Sequence, residues 1–291
     1  MFEGTYTALI TPFRDGEVDY PALAKLIERQ AEGGVDGVVP CGSTGESATL
    51  SHDEHERVIA FTIEKAQKRL KVIAGTGSNS TKESCKLTRF AAERGADGAL
   101  LIAPYYNKPT QDGLYAHYAA IAEAAPDLPQ LVYNIPGRCA VNLLPDLLAR
   151  LAKVANIVGV KEACGSLDQI AQVVQECGPD FEVISGDDTL TLPIMAVGGV
   201  GSIGVLPNLA PRRMVELVDA CRANDFAAAR KLHYALLPVM QAIFLETNPI
   251  GIKAALALTG ASTEELRLPL TRFTDAHRTT LKAAMERADL L

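Results

Sequence analysis

Gly98-Ala-Leu-Leu-Ile102, Pro104-Tyr-Tyr-Asn-Lys-Pro109 and Gln130-Leu-Val-Tyr133 make one unit of a pattern: a short apolar run, a polar stretch at its end, and a second apolar run after a helix-sized interval. Parallel neighbouring strands need such an interval, because a crossover takes about a dozen residues or more. The same alternation extends in both directions from this unit and yields eight strand candidates. They are Tyr6–Ile10, Gly37–Pro40, Lys71–Ala74, Gly98–Ile102, Gln130–Tyr133, Ile157–Lys161, Phe181–Ser185 and Gly201–Val205. Repetition on this scale predicts an α/β protein, a closed (β/α)8 barrel of the TIM type.

The intervening stretches carry helix signals. Leu23, Leu26, Ile27 and Gln30 share one face ahead of a Gly33-Gly34 stop, Ser51 stands as an N-cap before the acids Asp53 and Glu54, and Thr81 is expected to open a helix that ends near Gly95. After Asn224 the alternation stops. Phe226–Phe244, Pro249–Leu258 and Thr274–Ala288 read as helices with no strand between them, so the expected organisation is a barrel over residues 1–224 and a C-terminal helical segment over 225–291.

Composition narrows the function. The chain has 291 residues, 48% apolar and 22% charged, which fits one large core and argues against long disorder. Its net charge of −7 comes without a basic block, so neither nucleic acid nor an anionic membrane is an expected partner. Small molecules are. The six cysteines, Cys41, Cys85, Cys139, Cys164, Cys177 and Cys221, are scattered and read as reduced core thiols of a cytosolic protein. No signal peptide or apolar membrane-length run is visible, and a soluble protein is expected.

In a barrel of this kind catalytic groups sit at the carboxyl ends of the strands. Asn156-Ile-Val-Gly-Val-Lys161 places an ammonium at the end of an apolar strand. Desolvation there lowers a lysine pKa and yields an amine able to attack a ketone; a structural ion pair with Glu162 or another acid is the alternative. Ser43 and Thr44, flanked by Gly42 and Gly45, form a tight loop whose N–H groups can hold a carboxylate or phosphate, or else a plain turn capping the next helix. Tyr133 ends a strand, as a proton relay or as an amphipathic rim residue. Two further patterns lead nowhere. Gly199-Val-Gly-Ser-Ile-Gly204 matches GxGxxG but precedes its strand, so no dinucleotide site is expected, and His52 with His55 lacks a third ligand for zinc.

Taken together, GSTGES (Gly42–Ser47), PYYNKP (Pro104–Pro109), YNIPGR (Tyr133–Arg138), GVKEA (Gly159–Ala163), SGDD (Ser185–Asp188) and Asn248-Pro249-Ile250 resemble the dihydrodipicolinate synthases, members of the pyruvate-dependent Schiff-base lyase and aldolase superfamily. The resemblance spans essentially the whole chain. It implies a cofactor-free carbon–oxygen lyase that condenses pyruvate with L-aspartate 4-semialdehyde to 4-hydroxy-tetrahydrodipicolinate, the first committed step toward diaminopimelate and lysine. Lys161 would form the Schiff base, and Tyr133, Ser43 and Tyr106 would relay protons, with Tyr106 reaching a neighbouring subunit's site in a homodimer or homotetramer. Thr44 would hold the pyruvate carboxylate and Arg138 the semialdehyde carboxylate, while the Gly186 and Ile203 backbone would line the pocket. Ser47, Ala48, His52, His55, Asn79, Glu83 and Tyr105 match the effector positions of lysine-sensitive members, with L-lysine as a feedback inhibitor. Neither a metal nor a cofactor is implied.

One departure is visible: Ser43 stands where this synthase usually has threonine, losing the methyl group that restricts χ1. The same GSTGE run occurs in the N-acetylneuraminate lyases, so such a lyase or a 2-keto-3-deoxy sugar-acid aldolase is the runner-up, and a non-catalytic barrel binding a keto acid or amino acid is the reading from another class. Arg138 favours the synthase, because a short dicarboxylic product needs a cation where a polyol needs neutral groups.

Overall fold

The computed structural model describes residues 1–291. Its strands are β1 (Gly4–Ala8), β2 (Phe13–Arg14), β3 (Glu17–Val18), β4 (Gly37–Val39), β5 (Lys71–Gly75), β6 (Gly98–Ile102), β7 (Gln130–Asn134), β8 (Ile157–Glu162), β9 (Glu182–Ser185) and β10 (Gly201–Gly204). Eight of them close a parallel barrel in the order β1-β10-β9-β8-β7-β6-β5-β4, and β2 with β3 form a small antiparallel hairpin beside it. The predicted (β/α)8 barrel is therefore present. Its first strand begins and ends earlier than expected, at Gly4 and Ala8, while β7 and β8 each run one residue further, to Asn134 and Glu162.

Alternation sorts each strand between two cores. Phe2, Tyr6, Val39, Ile73, Leu100, Leu131, Tyr133, Ile184 and Ile203 fill the barrel interior. The opposite faces, among them Val38, Val72, Leu101, Val132, Val160 and Val183, pack against the ring of helices. Because β7 and β8 pair with Tyr133 opposite Lys161 and Asn134 opposite Glu162, the first pair points inward at the barrel mouth and the second outward under the helices.

The helix starts obey local chemistry. Ser51 Oγ accepts from the Glu54 N–H while the Glu54 carboxylate accepts from the Ser51 N–H, a reciprocal cap at the start of His52–Ala66. The next helix, Thr81–Glu93, is capped by Ser80, one residue before the position expected. Ser84 is spent elsewhere, accepting from the Ser78 N–H at 2.7 Å. Beyond residue 224 the chain folds into the helices Phe226–Ala242, Ile250–Leu258 and Asp275–Arg287. All six cysteines are unpaired, but only Cys41, Cys139 and Cys221 lie in the core, while Cys85, Cys164 and Cys177, on or beside the outer helices, are half-buried; no helix is long and apolar enough to cross a membrane, and no cluster of three metal-ligating side chains is formed.

Candidate active site

Lys161 ends β8 with 4% of its surface exposed, and its Nζ stands 4.4 Å from the centroid of the Tyr133 ring. Burial pulls its pKa down to about 8; the Asp188 carboxylate opposes that shift and the Arg138 guanidinium adds to it. The ion pair with Glu162 does not exist. Glu162 faces the other way, where its carboxylate accepts from Asn134 Nδ2 at 3.0 Å and from the Cys164 N–H at 3.3 Å. Strand alternation is the reason: adjacent residues of one strand point to opposite faces. Tyr133 is also buried, and the loss of water around its hydroxyl raises the phenol pKa above its ordinary value.

The loop after β4 is shaped for an anion. The N–H groups of Gly45, Glu46 and Ser47 close turns onto the Gly42 and Ser43 carbonyls, whereas those of Ser43 and Thr44 have no acceptor in the protein. Cys41 and Glu46, on either side, both adopt left-handed backbone (φ 56° and 54°), a conformation that costs non-glycine residues energy and persists only where surroundings enforce it. The bracing contacts come from the C-terminal segment, from one of its helices and the connections between them. Glu46 forms a buried ion pair with Lys253, and its second carboxylate oxygen accepts from the Arg267 N–H at 3.2 Å. Asn248 Nδ2 donates to Thr44 Oγ1 at 2.9 Å, which leaves the Thr44 hydroxyl proton free for a ligand. Asn248 also accepts, through its carbonyl, from Arg138 Nη2 at 2.9 Å, so one residue orients both expected carboxylate binders.

A narrow cavity of about 50 Å³ joins Ser43, Thr44, Tyr133, Arg138, Lys161 and Gly186. Gly186 has to be glycine, since a Cβ there would sit 2.9 Å from Lys161 Cε. Ile203 lies wholly buried in the barrel interior and does not line this cavity; Val205, two residues on, does. Tyr106 is not brought to Tyr133 and Ser43 within the chain. It projects from the surface, 89% exposed with φ 74°, so a three-membered relay is not assembled by one chain alone.

A larger cavity, about 540 Å³, continues from Ser43, Tyr133 and Arg138 to the expected effector residues Ser47, Ala48, His52, His55, Glu83 and Tyr105. Asn79 stands behind them and donates to the Tyr105 carbonyl at 3.1 Å. His52 Nε2 lies 3.4 Å from a Glu83 oxygen. His55 is buried, with its Nε2 2.7 Å from the Gly75 carbonyl, and burial lowers its pKa. A carbonyl only accepts, so Nε2 carries the proton and Nδ1 is the one acceptor this ring can offer a ligand. Sequence patterns gave Asn248, Glu46 and Lys253 no role in the site, because each acts across a long stretch of chain; Glu46 and Asn248 stood only as members of the quoted GSTGES and Asn248-Pro249-Ile250 runs.

With this geometry in place, the comparisons with known proteins are specific. Residues 1–288 match the model of the dihydrodipicolinate synthetase family. The 4-hydroxy-tetrahydrodipicolinate synthase of Syntrophus aciditrophicus is 55% identical over 291 residues, covering all of both chains. The crystal structure of a dihydrodipicolinate synthase from Acinetobacter baumannii complexed with pyruvate superposes with a TM-score of 0.98 at 42% identity over 100% of both chains. That of the enzyme from Cyanidioschyzon merolae with lysine bound gives 0.96 at 40% identity over 100% of this chain and 99% of the other. The chain belongs to the dihydrodipicolinate synthetase family.

Proposed function

We propose that this chain is a Schiff-base lyase that condenses pyruvate with L-aspartate 4-semialdehyde to 4-hydroxy-tetrahydrodipicolinate, the first committed step of lysine biosynthesis. The observation that carries the assignment is the buried Lys161 amine beside Tyr133 and an anion-shaped loop. With a pKa of about 8, roughly one Lys161 in ten is neutral at pH 7, against a few in ten thousand for a solvated lysine.

That amine attacks the pyruvate ketone carbon, the carbinolamine loses its hydroxyl as water, and an iminium remains. The cationic nitrogen then acidifies the methyl group, whose proton leaves to give an enamine. The enamine carbon bonds to the aldehyde carbon of the second substrate, and the aldehyde oxygen takes a proton. Finally the semialdehyde's amine attacks the iminium carbon and expels Lys161 as the ring closes. The Ser43 and Thr44 N–H groups and the Thr44 hydroxyl hold the pyruvate carboxylate, and Arg138, steadied by Asn248, receives the semialdehyde carboxylate. The protons pass through Tyr133, Ser43 and Tyr106 of the partner subunit, which requires at least a homodimer and fits the exposure of Tyr106. Gly186 and Val205 form the cavity wall, with Ile203 in the barrel interior beneath, and residues 225–291 act as a segment that braces the loop after β4.

L-lysine is the proposed effector, acting in the cytoplasm at the second arm of the large cavity through Ser47, Ala48, His52, His55, Asn79, Glu83 and Tyr105. The deciding experiment offers the purified protein pyruvate with aspartate semialdehyde, N-acetylneuraminate, and 2-keto-3-deoxygluconate side by side. A kcat/KM preference for either sugar acid overturns the assignment; no effect of millimolar lysine on rate or binding removes the effector.

A further inference from the structure

The SGDD run places its second aspartate where neither substrate binding nor the proton relay uses it. Asp188, 1% exposed, starts a short 3₁₀ turn just after β9. Its carboxylate reaches across to the end of β10, where Oδ2 accepts from the Val205 N–H at 3.0 Å and the Leu206 N–H at 2.9 Å. The other oxygen, Oδ1, is buried with no donor at all. It lies over Gly204, where a Cβ would come within 2.2 Å of it, so the glycine makes room for this carboxylate.

The two ends of this bridge are the two walls of the Lys161 cavity. Two residues before Asp188, the Gly186 backbone packs against the Lys161 stem, and the Val205 amide that Asp188 holds belongs to a residue lining the same cavity. A buried carboxylate oxygen without a donor is costly unless a cation compensates it. The charges acting on Asp188 are Asp187, which opposes its ionisation, and Lys161, which favours it; those acting on Lys161 are Asp188 and Arg138.

We propose that Asp188 is a positioning residue of the Schiff-base step, a fixed anion that ties the two walls of the Lys161 cavity together and serves as counter-charge to the cationic nitrogen on Lys161. Going from ammonium to iminium, Lys161 bonds to the ketone carbon and gives up two protons, which leave with the ketone oxygen as water, and the nitrogen is positive at both ends. A fixed anion therefore stabilises both cations and disfavours only the neutral amine between them. Burial holds the Asp188 pKa up to about 6, so the counter-charge is present at neutral pH and is lost on acidification.

The inference rests on Lys161 being the Schiff-base nucleophile, so the test first maps the borohydride-reduced pyruvate adduct in the wild-type protein. An adduct on another lysine ends both readings. With the adduct on Lys161, the pH dependence of trapping and the affinity for pyruvate are measured for Asp188→Asn and Asp188→Ser, each checked for native fold. The expected result in both is a trapping midpoint lower by about one pH unit and, above the wild-type midpoint where the free amine is neutral, pyruvate affinity weaker by about tenfold. The two side chains differ in shape and share only the lost charge. A midpoint unmoved in either folded variant, with changes in yield or Tm alone, overturns the proposal. If neither variant folds, Asp187→Asn decides, because it leaves Asp188 in place and keeps the oxygen that accepts from Thr189. Removing that like charge should move the bend in the trapping profile, where Asp188 loses its charge and Lys161 is released toward the neutral amine, to lower pH, and an unmoved bend overturns the proposal equally.

Discussion

The two faces of the β7–β8 ladder carry the same kind of pair to opposite ends. On the inner face, Tyr133 and Lys161 are buried side by side with a ring–ammonium contact, and both pKa values are displaced by burial. On the outer face, one residue further along each strand, Asn134 and Glu162 are equally buried, yet Asn134 is hydrogen-bonded at both ends of its amide. Its Nδ2 donates to Glu162 and to Asn142, and its Oδ1 accepts from the Leu143 N–H. The outer pair has spent its polar capacity on the fold, while the inner pair has kept it for a ligand. In this ladder burial alone does not separate the two pairs; the inner pair combines burial with a free polar capacity and a place on the cavity wall.

The largest effect expected from breaking this comparison is at Lys161. Lys161→Met should abolish the borohydride-trappable adduct and reduce kcat by about three orders of magnitude or more, with the thermal midpoint unchanged or raised because a buried cation is gone. Steady-state kinetics and peptide mass mapping read it, and retained turnover with an adduct on Lys153 or Lys253 moves the nucleophile. Tyr133→Phe and Ser43→Ala come next, each lowering kcat by about 10²–10⁴, whereas Ser43→Thr should be tolerated. Full rate in Ser43→Ala would route the protons through Thr44 or water.

On the outer face the order of effects reverses. Glu162→Ala removes the acceptor of one Asn134 Nδ2 hydrogen and of the Cys164 N–H and should cost about 1–3 kcal/mol of stability in denaturant titration, with the trapping midpoint of Lys161 unmoved. A shifted midpoint would show that the two faces are electrically coupled.

Acidity sharpens the contrast without mutation. Lys161 must be neutral to attack, so trapping should fall about tenfold per pH unit below pH 8 and level off above it. A flat profile from pH 6 to 8 would contradict the buried amine. The smallest effect belongs to the surface staple at Glu54, whose carboxyl Arg267 holds down at about 2. Its folded pKa lies below the ordinary value, so its contribution is complete above about pH 4.5 and is lost as pH falls toward 2. Glu54→Gln should therefore lower stability by about 1 kcal/mol or less at neutral pH and make no difference at pH 2, as read by thermal melts.

Much of this molecule was legible in the chain. The alternation around residues 98–133 was sufficient for the barrel because parallel strands buried on both faces leave a periodic apolar signal. Lys161 was conspicuous because an ammonium is out of place at the end of such a strand. The alternative ion pair with Glu162 was excluded only by the register that turns adjacent residues to opposite faces. Ser80 took the cap assigned to Thr81 because neighbouring hydroxyls are interchangeable in sequence and only the backbone angle selects one.

Sequence by itself determined the eight barrel strands and their parallel closure and pointed to Ser43, Thr44, Tyr133, Arg138 and Lys161 at the mouth, since these are written in local periodicity and in side-chain chemistry at strand ends, whereas the β2–β3 hairpin, of two residues a strand, left no such signal. Tertiary structure alone decided what holds those residues. Asn248 meets Thr44 and Arg138, Lys253 reaches Glu46, and Asp188 caps the end of β10, contacts made by residues far apart in the chain or by a side chain that crosses between strands. The physical reason is that a hydrogen bond or buried ion pair is chosen by distance and direction after packing, and neither leaves a period in the chain.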